Sequence, residues 1–124
     1  MINLKGQIIS ALSESLENVV DTYPANWENL PQILCTEKQN KVYEYVDDKE
    51  SMSLFRYRID IWNSQSTTQT AVQVDEVLSA MGFKRTSSKD VVNDISGLNH
   101  KIMKFEAVCD VQMKNIYHKN EEEN

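Results

Sequence analysis

Apolar residues in the first twenty positions keep a helical spacing. Leu4, Ile8, Leu12, Leu16 and Val20 recur every four residues, and Ile9 and Val19 widen the stripe, which predicts an amphipathic helix over residues 3–20. Asn3 suits the N-cap, and Gly6 weakens the first turn by ~1 kcal/mol relative to Ala. The stretch from Asp21 to Pro31, punctuated by Pro24 and Pro31, reads as a connection that Trp27 and Leu30 pin to the core. Ile33 to Lys38 then reads as a strand. Val42 to Val46 is a second short strand or a hairpin arm, and Asp47-Asp48-Lys49-Glu50-Ser51 is its charged tip.

The clearest alternation runs from Leu54 to Trp62. Phe55, Tyr57, Ile59 and Ile61 share one face, and Arg56, Arg58 and Asp60 share the other. Ser66 followed by Gln69 has the form of a capping box. Ala71, Val74, Val77, Leu78 and Met81 supply the stripe of the helix it opens. Gly82 stands where a left-handed residue ends such a helix, with Phe83 placed to touch Leu78. Phe83 to Ser87 reads as a third strand. Ser88 to Asn99 reads as a polar loop containing Gly97, with Val91, Val92 and Ile95 turned inward.

The final strand is expected over Lys101 to Met113, with Met103, Phe105, Ala107, Cys109 and Val111 opposite Lys104, Glu106 and Asp110. The expected fold class is α+β, in the order α-β-β-α-β-β. Two helices cover one face of a largely antiparallel sheet, and the charges on its other face pair across strands. Residues 1–114 make a single domain, and residues 115–124, ending in Glu121-Glu122-Glu123-Asn124, form an acidic, disordered tail.

Charge narrows the function classes. A formal net charge of -6 and a pI of about 4.9, with arginine only at 56, 58 and 85, argue against tight nucleic-acid binding, which draws on clustered cations. The start Met1-Ile2-Asn3-Leu4-Lys5 lacks a signal-peptide pattern, and no apolar run approaches the ~20 residues of a membrane span. These features lead to the expectation of a cytoplasmic chain, in its own cell or a host's, with no membrane partner. Cys35 and Cys109, both in strand-like segments, are then expected as reduced, buried thiols.

No catalytic, cofactor or metal site emerges, and the chain is read as no enzyme. The three glycines, at 6, 82 and 97, form no phosphate-cradling loop. His100 and His118, 18 positions apart, share no zinc spacing with the cysteines and read as surface residues. Asp90 to Gly97 lacks the calcium-loop spacing. Cys109 could pair with His100 only from an apolar strand face, where a thiol is inert. Asp47, Asp48, Glu44 and the terminal glutamates look solvated. The candidate protein-contact residues are Tyr43 and Tyr45, which share a face of the hairpin arm, the tip residues Asp47 and Asp48, and Arg56 and Arg58. Trp62 falls by alternation on the polar face, to be covered by Trp27 or a proline of the connection, or by a partner.

The leading helix, Leu30-Pro31-Gln32-Ile33-Leu34-Cys35-Thr36-Glu37, Phe55-Arg56-Tyr57-Arg58-Ile59-Asp60-Ile61-Trp62, Met81-Gly82-Phe83-Lys84-Arg85 and Lys101-Ile102-Met103-Lys104-Phe105-Glu106-Ala107 together form a pattern. Over residues 3–113 it resembles the small tail-completion proteins of long-tailed bacteriophages and prophages, also called tail terminators or tail-to-head joining proteins. The resemblance implies an α-β-β-α-β-β subunit of a ring, commonly a hexamer, at the head-proximal end of the tail. There the ring would meet the tail tube and the head connector, and DNA would pass through without specific binding. Such a protein would reside in the host cytoplasm during assembly and in the virion afterwards. It implies no catalytic residues. The alternative is a monomeric adaptor or regulatory domain that binds one protein, and self-association separates the two.

Overall fold

The computed structural model describes residues 3–46, 49–110 and 115–116, and side chains over 3–42 and 52–110. The elements in chain order are α1 (Lys5–Ser13), β1 (Val19–Val20), β2 (Gln32–Val46), β3 (Lys49–Asn63), α2 (Thr68–Ala80), β4 (Lys84–Val91), β5 (Asn99–Asp110) and β6 (Asn115–Ile116). The fold is α+β, with two helices and a mostly antiparallel sheet. Its order is β1-β2-β3-β5-β4, with β6 paired to β5 and β1 running parallel to β2.

The first helix is shorter than its apolar spacing suggests. It ends after Ser13, and Asn18 at φ 59° turns the chain into β1. Leu16 and Val19 still pack against the core, so the four-residue spacing continues through residues that are not helical. The N-cap is Leu4 and not Asn3, with no side-chain cap bond, and Asn3 Oδ1 accepts the Lys5 N–H at 3.0 Å from one residue earlier.

The Ile33–Lys38 strand and Val42–Val46, expected as a second short strand or a hairpin arm, are one strand, β2, fifteen residues long and forming one arm of a hairpin with β3. At ~3.3 Å per residue this hairpin is ~50 Å long. Irregularities in register near Lys38 and Tyr43 let it bend without breaking. Its tip, Asp47 and Asp48, lies outside the described residues.

The inner face of β3, Phe55, Tyr57, Ile59 and Ile61, is sealed as its alternation predicts. It joins Ile33 and Cys35 of β2, Met103, Phe105, Ala107 and Cys109 of β5, Leu4, Ile8 and Leu12 at α1, and Ala71, Val74 and Leu78 of α2 in one core. Tyr57 keeps its hydroxyl satisfied by donating to Glu37 Oε1 at 2.9 Å. Burial first, and this bond second, raise its pKa above that of an ordinary phenol. Both cysteines are free, and burial raises Cys35 to about 12 and Cys109 to about 11.

Helix α2 begins at Thr68, one residue later than a Ser66 cap requires, and Ser66 Oγ instead accepts the Thr68 N–H at 3.2 Å. Its end follows the sequence reading. Gly82 has φ 100°, the Gly82 N–H donates to Ser79 O at 3.0 Å, and the Phe83 N–H donates to Leu78 O at 2.9 Å. Those two bonds make a Schellman ending. A β-branched residue fits φ near 100° badly, so Gly82→Val should lower unfolding stability by about 1–2 kcal/mol. A urea melt of the variant that overlays the parent would contradict this.

The polar loop expected at 88–99 is half strand. β4 continues to Val91, and Val92 and Ile95, expected to turn inward, are 81% and 97% exposed. Asn115 and Ile116, expected in the tail, pair with Asp110 and Cys109 of β5, while Val111 and residues 117–124 lie outside the described residues.

Candidate functional site

The outer face of the sheet carries the unusual chemistry. Alternation puts Arg56, Arg58, Asp60 and Trp62 of β3 there, and register sets Trp62 directly opposite His100 of β5 and Gln32 of β2. Arg56 pairs across strands with Glu106 at 3.9 Å, and Asp60 with His100 of β5 at 2.7 Å. Arg58 faces Lys104, a like charge, and so turns along its own strand to Asp60.

Asp60 is 2% exposed and takes three donors. Arg58 Nε reaches its Oδ1 and Arg58 Nη2 its Oδ2, both at 2.8 Å, and His100 Nε2 lies 2.7 Å from Oδ2. The bond to Asp60 raises the Arg58 pKa further, against a smaller loss from burial.

His100, read as a surface residue from sequence, is 7% exposed, and its Nδ1 lies 2.8 Å from Asp94 Oδ1. Each ring nitrogen of His100 therefore lies within hydrogen-bond distance of a carboxylate, Nδ1 of Asp94 and Nε2 of Asp60. Asp94 also receives the Ser96 N–H at 3.2 Å and the Ser96 hydroxyl. The Ser96 hydroxyl first, and His100 after it, pull the Asp94 carboxyl down to about 2.

Three aromatic rings close over this network. Trp62, 3% exposed, stacks on His100 with ring centroids 4.5 Å apart. Trp27 and Tyr23 meet Trp62 edge-on at 5.3 and 5.7 Å, and meet each other at 5.6 Å. The connection is held in place at its base: Asn18 Nδ2 donates to Asn29 O and Pro31 O, and Gln32 Nε2 donates to Asn29 O at 2.6 Å. Beside the rings lies a cavity of about 250 Å³, lined among others by Lys38, Arg58, Trp62 and Ile95.

Of the contact residues expected from sequence, Arg58 belongs to this network and Arg56 lies next to it on the same face, exposed and bonded to Gln39. The side chains of Tyr43 and Tyr45, and all of Asp47 and Asp48, lie outside the described residues. Trp62 is covered by Trp27, the internal packing that was one of its two expected fates. Sequence reasoning missed Asp60, Asp94 and His100 as a unit. No signal in the sequence marked them, because the register that sets His100 opposite Trp62 belongs to the assembled sheet.

Among the described residues no group of His, Cys, Asp and Glu side chains is arranged to hold a metal ion, and no helix is long and apolar enough to cross a membrane. No protein-family model matches the chain, and no curated protein matches it.

The network has an acid limit that can be measured. A carboxyl held at about 2 in the fold, against ~3.9 unfolded, stabilises the protein above pH ~4. That contribution is lost as pH falls from ~4 through 2. Asp94→Asn should therefore be less stable than the parent at pH 6 and lose less of its stability between pH 4 and 2. Parallel pH profiles for the two proteins in urea melts would contradict this.

Proposed function

We propose that this protein is a non-enzymatic subunit of a ring that completes a bacteriophage tail at its head-proximal end and joins it to the head connector. The observation that carries the reading is the order of elements together with the placement of the short signatures. Ile59-Asp60-Ile61-Trp62 ends the second arm of a long hairpin, and Gly82-Phe83-Lys84-Arg85 leads from the second helix into the next strand. The full order is α-β-β-β-α-β-β-β, and setting aside the two-residue strands β1 and β6 leaves the α-β-β-α-β-β succession of the tail-completion proteins, which supports the reading.

The ring is a homo-oligomer, a hexamer when assembled. Its partners are further copies of the chain, the tail tube and the connector. DNA passes through its channel without specific contacts, in keeping with a net charge of -6. Six negative charges per subunit repel at low salt, so dilute protein stays monomeric and assembles on the tail tip, where the ~8 Å Debye length of physiological salt limits the repulsion. Deleting the gene from its phage should give filled heads and unattached tails by electron microscopy. Intact, infectious virions from the deletion would reject this reading in favour of a monomeric adaptor.

A further inference from the structure

We propose that the cavity beside Trp62 is a binding site for the C-terminal carboxylate of a peptide whose last residue is apolar and branched. The argument is a count of donors and acceptors, and it does not depend on the ring reading.

The carboxylates around the cavity are already engaged. Asp60 is taken up by Arg58 and His100, and Asp94 by His100 and Ser96. Three nitrogen donors remain, beside the Tyr23 and Thr36 hydroxyls that also line the cavity. Trp62 Nε1 is sealed from solvent and has no acceptor, the one such buried side-chain atom among the described residues. An orphaned buried N–H is costly, and natural structures hold few of them. Arg58 spends Nε and Nη2 on Asp60, which leaves Nη1, and the Lys38 ammonium lines the same cavity with no ion pair to any of the described residues. Three donors with no spare carboxylate call for a ligand that brings acceptors and negative charge.

The rest of the lining selects the body that carries this charge. Leu34, Tyr23 and Ile95 are apolar walls, and about 250 Å³ accommodates one branched side chain with its carboxylate. The apolar surface also runs beyond the cavity, since Ile95 is 97% and Tyr23 60% exposed. That is more surface than a free short-chain acid covers, which favours a peptide. Arg58 and Lys38 hold the carboxylate first. For the carboxylate to reach the sealed Trp62 Nε1, one of the rings that meet it edge-on has to shift, and Tyr23 is the more exposed of the two.

Trp27 and Trp62 are the only tryptophans in the chain, so intrinsic fluorescence reports on this site alone. The full-length protein would be titrated with acetyl-Gly-Gly-Ala-Val-Leu as the free acid, with its C-terminal amide, with 4-methylpentanoate and with inorganic phosphate. The acid peptide should give a saturable change at least about tenfold tighter than the amide, the value of one charge-assisted hydrogen bond. Lys38→Met, at an exposed position, should weaken it about tenfold. Trp62→Phe, which keeps a ring and removes the N–H, should weaken it several-fold, with Trp27 as the remaining reporter. An amide that binds as tightly as the acid, or no saturable change, overturns the site. Equal binding of 4-methylpentanoate overturns the peptide, and equal binding of phosphate overturns the carboxylate.

Discussion

Asp60→Ala should lower the unfolding free energy by about 3–5 kcal/mol, the cost typical of stripping one partner from a buried ion pair. The carboxylate is 2% exposed and is the single acceptor shared by the Arg58 guanidinium and His100 Nε2. Its removal strips Arg58 Nε and Nη2 of their acceptor and leaves His100 Nε2, buried beneath Trp62, without the carboxylate it contacts. The loss should be shared and not additive. The double variant Asp60→Ala/His100→Ala should fall short of the sum of the single losses by about 1–3 kcal/mol, because each single change already breaks the contact. Urea melts of the four proteins at pH 6.5 measure this. Strictly additive losses would mean that the two side chains do not act as a unit.

Phe55→Ala should cost a similar amount, about 3–5 kcal/mol, for a different reason. Phe55 is fully buried at the middle of β3, the strand between β2 and β5, and its ring stacks on Tyr57 at 6.3 Å. Truncation leaves a void between sheet and helices that rigid strands on both sides cannot close. Ile95→Ala is the control. With 97% of the residue in solvent, it should change stability by no more than ~0.5 kcal/mol. A thermal melt that ranks Ile95→Ala as the more damaging variant would overturn this account of the core.

Where a single residue governs a local conformation, its effect was readable in the sequence. The alternation of Phe55 to Ile61 fixed which face of β3 is buried, and Gly82 marked the end of α2 to the residue. Where the outcome depends on contacts between distant segments, it was not. Leu16 and Val19 are apolar because they meet the core, and nothing in their spacing tells helix from strand. Val92 and Ile95 looked like core residues, yet the Asp94–His100 bond between them holds the loop by its polar atoms and leaves both in solvent. His100 itself depends on Asp60, forty positions away, and on a register that only the assembled sheet displays.

The edge strand β4 has a consequence for how the chain behaves at high concentration. Its eight residues end the sheet, and seven of them are exposed. A flat edge of that length would template fibrils, strand upon strand. Three features work against it. The register slips between Arg85 and Ser87, the Thr86 hydroxyl between them bonds Lys104 O, and Lys84, Arg85 and Lys89 place cations where an incoming strand would lie. These residues act as gatekeepers against amyloid stacking along β4, so crowded copies do not extend the backbone ladder from this edge.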